Sequence, residues 1–316
     1  MNIHQNGPDD ARVIIGSSNL NLAPADAALF HADKYLDFLE DGGYDRGFEW
    51  TAIRLPRARK AGRLLGQAGL VAVLHESWRE QTVRGSLRSM GRLGLRHTVD
   101  ELEPAAVFPL LDQCYDGLDE LQQAGRLPLI VHPGGQYLDF QPQRRPRQTY
   151  DPDSFAEIWY QPTAEWARSA DIPLDADVAE VARSIHHVEQ RQSLDGTVID
   201  LHHMLSTRNG ARFSKPVELI QELVQAPSCR EVQVSLRPDF GGYSDELRLA
   251  CDGRIEQTRT GDILQAIHEA VPAGQTIPIT VEVAASEIRS LDIHDYAAAH
   301  ANITGSIRQL FGRLCA

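Results

Sequence analysis

The chain alternates short apolar segments with amphipathic segments along most of its 316 residues. Eight segments are predicted as strands, because each is a short apolar or β-branched run bounded by glycine, proline or polar residues. They span residues 12–18, 47–53, 70–75, 127–131, 157–165, 196–200, 231–236 and 277–283. Helical spacing of apolar residues predicts helices between them, at 25–39, 57–68, 104–124, 177–190, 217–224, 263–271 and 295–314. Strands that alternate with helices favour a parallel sheet covered by helices, and eight such units predict an α/β fold of the (β/α)8 TIM-barrel type.

Two segments are harder to assign. Residues 157–165 fit a strand or a short helix; we favour a strand because Ile158, Trp159 and Tyr160 prefer pleated surfaces and Pro162 disfavours a helix interior. Residues 241–253 are predicted as a loop or an inserted hairpin. One barrel domain over residues 1–316 is expected, with inserted loops around 79–103, 134–156 and 238–260.

Composition limits the classes of function. The sequence contains no apolar run long enough for a membrane span, and its first residues lack the apolar stretch of a signal peptide, so a soluble, cytoplasmic protein is expected. The formal charge of -13 argues against binding to a nucleic-acid backbone, because such proteins gather Lys and Arg. A small-molecule substrate is the expected partner, and a homo-oligomer is compatible with the sequence. The four cysteines form no CxxC pair and suggest neither a zinc knuckle nor a disulfide framework.

The segment GTVIDLHHM at 196–204 is the strongest candidate for a site. Asp200, His202 and His203 follow directly after the apolar end of the predicted sixth strand. Functional groups of a barrel gather at the carboxyl ends of its strands, so these side chains are expected at the mouth. Asp200 could instead only cap a helix. His202, out of phase with His203, is predicted to face the helix layer.

Five short motifs resemble, in their order along the chain, the xylose-isomerase-like TIM-barrel superfamily. They are GFEW at 47–50, HPG at 132–134, TAEW at 163–166, DLHH at 200–203 and TVEV at 280–283. That superfamily includes sugar isomerases, sugar 3-epimerases, 2-keto-myo-inositol dehydratases and apurinic endonucleases. The resemblance implies a metal-dependent enzyme whose site lies at the carboxyl ends of the strands.

The resemblance also implies roles for particular residues. Glu165, Asp200, His203 and Glu282 would hold a divalent cation, which could be Mn, Mg, Zn or Fe. Glu165 and Glu282 would also exchange a proton with a substrate carbon. His203 or His75 could then steady the developing oxyanion. The fifth-strand carboxylate could be Glu157 rather than Glu165.

Five further side chains are expected to contact the substrate. Glu49, His75 and His132 resemble residues that end the second, third and fourth strands of the superfamily. Arg237 could hold a carboxylate or phosphate group, and Trp78 could cover an apolar face of the substrate.

The sequence departs from the superfamily at the seventh strand. The superfamily has a histidine ligand there, whereas EVQVSLRPD offers Gln233, Ser235 and Arg237, and the Asp-x-His of the endonucleases is also missing. A cluster of three zinc ions is therefore not expected. The leading prediction is an isomerase or epimerase that removes a proton next to a carbonyl of a sugar, polyol or related keto compound. The alternatives are a phosphodiesterase of the apurinic-endonuclease type, and a degenerate barrel that binds a ligand or a partner without turnover.

Overall fold

Eight parallel strands close into a barrel in the order β1 to β8. The computed structural model describes residues 13–18, 32–51, 64–75, 126–131, 153, 155–164, 167, 172–205, 212–236, 245–272, 274–283 and 285–314. The strands are β1 Val13–Ser18, β2 Phe48–Thr51, β3 Val71–His75, β4 Leu129–Val131, β5 Ile158–Tyr160, β6 Gly196–Asp200, β7 Cys229–Val234 and β8 Ile277–Val281. All eight predicted strands are confirmed, including the uncertain fifth, and the fold is a TIM barrel.

The helices lie between the strands and around the barrel. They are α1 Ala32–Asp41, α2 Val178–Gln192, α3 Leu201–Leu205, α4 Pro216–Gln225, α5 Glu246–Cys251, α6 Arg259–Ala270, α7 Ala285–Ser290 and α8 Tyr296–Leu314, with a 3-10 turn at Ile255–Gln257. Residues 64–67 are helical as predicted, whereas the predicted helix 104–124 lies outside the described residues. No helix among the described residues is long and apolar enough to cross a membrane.

Residues 241–253 contain a helix where a loop or hairpin was predicted, so that prediction is wrong. Helix α5 buries Leu247, Ala250 and Cys251, which are spaced as one face of a helix. Glu246 accepts a hydrogen bond from the backbone N–H of Thr260 at 2.6 Å. The helix is therefore stabilised by tertiary contacts. The flanking glycines of the sequence had indicated a turn.

Side chains alternate between the two faces of each strand, because successive residues of a strand point to opposite sides. Outward residues such as Ile15, Phe48, Leu74 and Ile279 belong to the main core beneath the helices. Within the barrel, a separate apolar cluster comes from four neighbouring strands. Its members are Val73, Ile130, Trp159 and Val198.

The opposite half of the interior is polar. Arg46, just before β2, donates from Nη2 to the Glu231 carboxylate of β7 and to the Thr280 hydroxyl of β8. Gly16 of β1 makes room for this arginine, since a Cβ at that position would lie 2.9 Å from Arg46 Cγ. Glu231 and Thr280 are fully buried. We call Arg46, Glu231 and Thr280 the floor cluster, because Arg46 precedes its strand and so lies toward the amino ends of the strands.

Glu157 also belongs to the amino end of the barrel. It lies directly before β5, where its Oε2 accepts from Trp159 Nε1 at 2.6 Å and from Arg230 Nε at 2.9 Å. The mouth is at the other end of the strand. Glu157 is therefore a structural residue and is not the fifth-strand carboxylate of a site at the mouth.

Candidate active site

Five of the predicted site residues fall within the described residues. His75, Asp200, His203 and Glu282 lie at or directly after the carboxyl ends of their strands, whereas Glu49 is the second residue of β2. The other four lie outside the described residues: Trp78, His132, Glu165 and Arg237. Buried polar neighbours connect members of the first group.

Asp200 caps a helix, as the alternative prediction held, and it also contacts polar side chains. Its Oδ1 accepts from the backbone N–H groups of His202 at 2.7 Å and His203 at 3.2 Å, which caps the short helix α3. Its Oδ2 accepts from Gln161 Nε2 at 2.9 Å and lies 3.6 Å from His203 Nε2. One oxygen thus holds the backbone turn, and the other faces polar side chains at the mouth.

The two histidines after Asp200 differ in exposure. His202 is buried, whereas the side chain of His203 is 24% exposed and contacts Asp200. His203 is therefore the one of the two that presents a ring nitrogen toward the mouth.

Gln161 connects more of the site than any residue predicted from the sequence. It follows β5 and is completely buried, and its amide forms hydrogen bonds with residues of three other strands. Its Nε2 donates to Asp200 Oδ2 at 2.9 Å and to Gln233 Oε1 at 2.8 Å, and its Oε1 lies 3.1 Å from His75 Nε2. The inward direction of Gln161 could be predicted from the sequence, because Gln161 is two residues after Trp159 and side chains two residues apart in a strand point to the same side.

Gln233 lies on β7 and is one of the three side chains found where the sequence resemblance led us to look for a histidine. Its Nε2 donates to Glu49 Oε2 at 2.8 Å, while its Oε1 accepts from Gln161. A buried amide with both ends bonded has a defined position in a polar network. The residue that departs from the pattern therefore joins β2 to β5 and, through Gln161, to β6.

Glu49 and Glu231 are two buried carboxyl groups that interact through a hydrogen bond. Burial raises the pKa of Glu49 well above its usual value, and the charges of Glu231 and Glu282 raise it further. Burial acts in the same direction on Glu231, but the Arg46 charge and the hydrogen bonds from Glu49, Arg46 and Thr280 leave the pKa of Glu231 lowered. Of the two carboxyl groups, Glu49 is therefore the one that holds a proton to higher pH and can donate it to Glu231, as expected for neighbouring carboxyls.

His75 is held neutral at the end of β3. Burial lowers its pKa to about 4, against the opposing effect of its hydrogen bond with Gln161. Its Nε2 also lies 3.9 Å from Glu49 Oε1. A neutral imidazole can donate a hydrogen bond from one nitrogen and accept at the other.

Glu282 follows directly after β8. Its backbone N–H donates to the carbonyl of Val234 at 2.8 Å, which extends the pairing with β7 by one step. Because Thr280 points into the barrel, Glu282 points to the same side two residues later. Its side chain is buried, and its charge is close enough to raise the pKa of Glu49.

Metal ligation was tested against this geometry. Within the described residues, no group of three or more His, Cys, Asp or Glu side chains is placed to hold a metal ion. Asp200 Oδ2 and His203 Nε2 form a pair of donors 3.6 Å apart. Two ligands at about 2.1 Å from one ion in a tetrahedral site are roughly 3.4 Å apart, so this pair fits two coordination positions.

Comparison with known proteins adds little to this picture. No protein-family model matches the sequence, and no curated protein matches it. Among solved structures, the chain is similar to a dihydropteroate synthase from Coxiella burnetii, solved in complex with pteroic acid, with 12% sequence identity and a TM-score of 0.37. The alignment covers 97% of this chain and 95% of that chain. A likeness this distant assigns neither an activity nor a substrate.

Proposed function

We propose that the chain is a divalent-metal-dependent isomerase or epimerase of the xylose-isomerase-like kind. Its substrate would be a sugar, a polyol or a related keto compound. The observation that carries the proposal is the pair formed by Asp200 Oδ2 and His203 Nε2, 3.6 Å apart at the carboxyl end of β6. In a TIM barrel this end of the strands is where active sites are built.

Asp200 is suited to bind a cation through one oxygen. Its Oδ1 is used by two backbone N–H groups, and its Oδ2 accepts only one described hydrogen bond, from Gln161. A carboxylate oxygen has two lone pairs, so Oδ2 retains one for a metal. A hydrogen bond to a ligating oxygen is the usual way in which a protein fixes the direction of a metal ligand.

Two further ligands are proposed, one after β5, which pairs with β6, and one after β8, which is separated from β6 by β7. Glu282 follows β8 on the inner side of the barrel, and Glu165 follows β5 outside the described residues. Oxygen ligands with one or two imidazoles suit Mn, Mg, Zn or Fe, and the remaining positions would be left to substrate oxygens.

Proton transfer is assigned to this chain's own acids and bases. A bound cation would supply the positive charge that stabilises the oxyanion formed when a proton leaves the carbon next to a carbonyl. Glu282 and Glu165 would remove and return that proton, a contribution of about 10²–10⁴-fold in rate. His75, being neutral, would hold a substrate hydroxyl without adding charge.

The test is elemental analysis of the purified chain, with Asp200→Ala and Glu282→Ala beside the wild type. Asp177→Ala is the matched control, because Asp177 is exposed and caps a different helix, α2, by accepting a 2.8 Å hydrogen bond from the N–H of Ala179. We expect one cation per chain in the wild type and the control, and almost none in the two site variants. Keto sugars incubated with the loaded enzyme in D₂O should then take up deuterium next to the carbonyl.

Other outcomes would refute the proposal. Two or three zinc ions per chain with phosphodiester cleavage would favour the endonuclease type of enzyme. Absence of metal at every supplementation, together with absence of deuterium uptake, would favour a barrel that binds a ligand without turnover. Equal metal loss in Asp177→Ala and Asp200→Ala would show that loss of a helix cap, not loss of a ligand, is responsible.

A further inference from the structure

The amide of Gln161 can adopt only one orientation in this site. Its Nε2 faces two oxygens, Asp200 Oδ2 at 2.9 Å and Gln233 Oε1 at 2.8 Å. An ionised carboxylate only accepts, so rotating the amide by half a turn would place an oxygen against two oxygens. Both N–H groups of Gln161 are therefore used on β6 and β7, and its oxygen faces β3.

The orientation of Gln161 fixes the tautomer of His75. Gln161 Oε1 is an acceptor only, and it lies 3.1 Å from His75 Nε2. That contact is a hydrogen bond only if Nε2 carries the proton. In a neutral ring the other nitrogen, Nδ1, is then the acceptor.

The direction of donation continues across the barrel. Gln161 donates to Gln233, Gln233 donates from Nε2 to Glu49 Oε2 at 2.8 Å, and the protonated Glu49 donates to Glu231. Every donor in this series of hydrogen bonds meets an acceptor, and a buried polar network that is satisfied in this way has a single arrangement. We call these residues, from His75 to Glu231, the interior chain.

We propose that Gln161 is a positioning residue that holds His75 as the Nε2–H tautomer and aims Asp200 Oδ2 at the mouth. The proposal rests on the function proposed above, because it makes Gln161 the residue that directs the metal ligand Asp200.

The tautomer can be measured without metal, substrate or activity. Long-range ¹H–¹⁵N correlation spectra of the ¹⁵N-labelled full chain distinguish a protonated from an unprotonated ring nitrogen. The His75 signals are identified by their loss in His75→Gln, whose side-chain amide can still donate to Gln161. We expect neutral His75 at pH 7 with its proton on Nε2.

Two substitutions of Gln161 separate positioning from packing. Gln161→Met keeps the volume and removes the acceptor, so His75 should shift to a mixture of tautomers or to Nδ1–H. Gln161→Glu keeps an acceptor for Nε2–H, so His75 should retain its wild-type tautomer although the two donors to Asp200 and Gln233 are lost. The control is Gln221→Met, which removes only a 3.1 Å hydrogen bond from Gln221 Nε2 to the Ala266 carbonyl between α4 and α6.

A wild-type His75 protonated on Nδ1, or an unchanged His75 spectrum in Gln161→Met, would overturn the proposal. If Gln161→Met does not fold, as judged by circular dichroism, the wild-type and Gln161→Glu spectra still decide it. Because the spectra need no metal, they can support the tautomer assignment even if elemental analysis disproves the proposed enzyme.

Discussion

Replacing Arg46 by methionine should destabilise the barrel strongly at neutral pH. Arg46 is the described cation that contacts Glu231, a carboxylate with no exposed surface. Methionine keeps a comparable apolar stem, so the substitution removes the charge and the donated hydrogen bonds with little change in volume. Glu231 would then be a buried charge beside Glu49 with no positive partner among the described residues.

The expected loss is about 3–5 kcal/mol in the free energy of unfolding, the usual result of removing one partner of a buried ion pair. The entropy of unfolding is about 2.1 cal/mol/K per residue, which for 316 residues converts the loss into a decrease in Tm of roughly 5–8 °C. An exposed pair gives the contrast. Arg254 and Asp252 are about half exposed, and Arg254→Met should change stability by about 0.5 kcal/mol or less.

The loss should depend on pH in a defined direction. In the wild type the pKa of Glu231 is lowered, so the stability it contributes is present above its unfolded pKa of about 4.3 and is lost as the pH falls through the folded pKa. Without Arg46, burial raises the pKa of Glu231, and the cost of ionising it increases as the pH rises above about 4.3. The difference between wild type and Arg46→Met is therefore largest near pH 7 and shrinks toward pH 4.

Urea unfolding monitored by circular dichroism at pH 4, 5.5 and 7 measures these values. The double variant Arg46→Met/Glu231→Gln should recover most of the loss, because glutamine can still accept from Glu49 and carries no charge. A loss below about 1 kcal/mol at pH 7, a loss that is the same at all three pH values, or no recovery in the double variant would each refute the electrostatic account of the floor cluster.

Glu49→Gln should keep a hydrogen bond to Glu231 while removing a group whose pKa is raised in the folded protein. The stability of the variant relative to wild type should therefore increase as the pH rises above about 4.3, by up to about 1.4 kcal/mol per pH unit. Urea unfolding midpoints at pH 5 and 8 measure this difference. A constant difference between the two pH values would contradict this. Gly16→Ala should lower the free energy of unfolding by about 1–3 kcal/mol, because the new methyl group displaces Arg46. Gly305→Ala should raise it by up to about 1 kcal/mol, because alanine has the higher helix propensity and no described atom outside the helix backbone lies within 4 Å of the added Cβ. Equal effects of the two alanines on Tm would show that the space beside Arg46 is not limiting.

The architecture was predictable because strand and helix leave different periods in a sequence. Residues such as Val71, Ile199 and Ile279 form short apolar runs that surface into polar groups, and the structure places each of these runs in the barrel. Helix α5 was missed because the flanking glycines indicated a turn, while the contacts that stabilise the helix come from Thr260, which is distant in sequence. The sequence pattern therefore predicted the strands and helices whose apolar residues recur at regular spacing.

The site was predicted only in part, for a different reason. Charged residues and histidines at strand ends attract notice, which is how Asp200, His203 and Glu282 were found. Gln161 was missed because a glutamine after a strand has no distinctive chemistry until its neighbours are known. Gln233 was noticed only as a departure from a ligand pattern, whereas its actual role, a hydrogen-bond link between Gln161 and Glu49, depends on strands that meet only in the closed barrel.

The interior chain has a consequence for attempts to make this protein more heat-resistant. Buried ionic groups such as Arg46 and Glu231 are attractive targets, because apolar replacements of similar volume often increase stability. In this barrel Glu231 is the last member of the interior chain, which begins at His75 and passes beside Asp200, and Arg46 donates to Glu231. A variant with apolar residues in place of the floor cluster could have a higher Tm and yet a different pattern of protonation at the mouth. Screening by Tm alone would therefore select variants in which the site is altered.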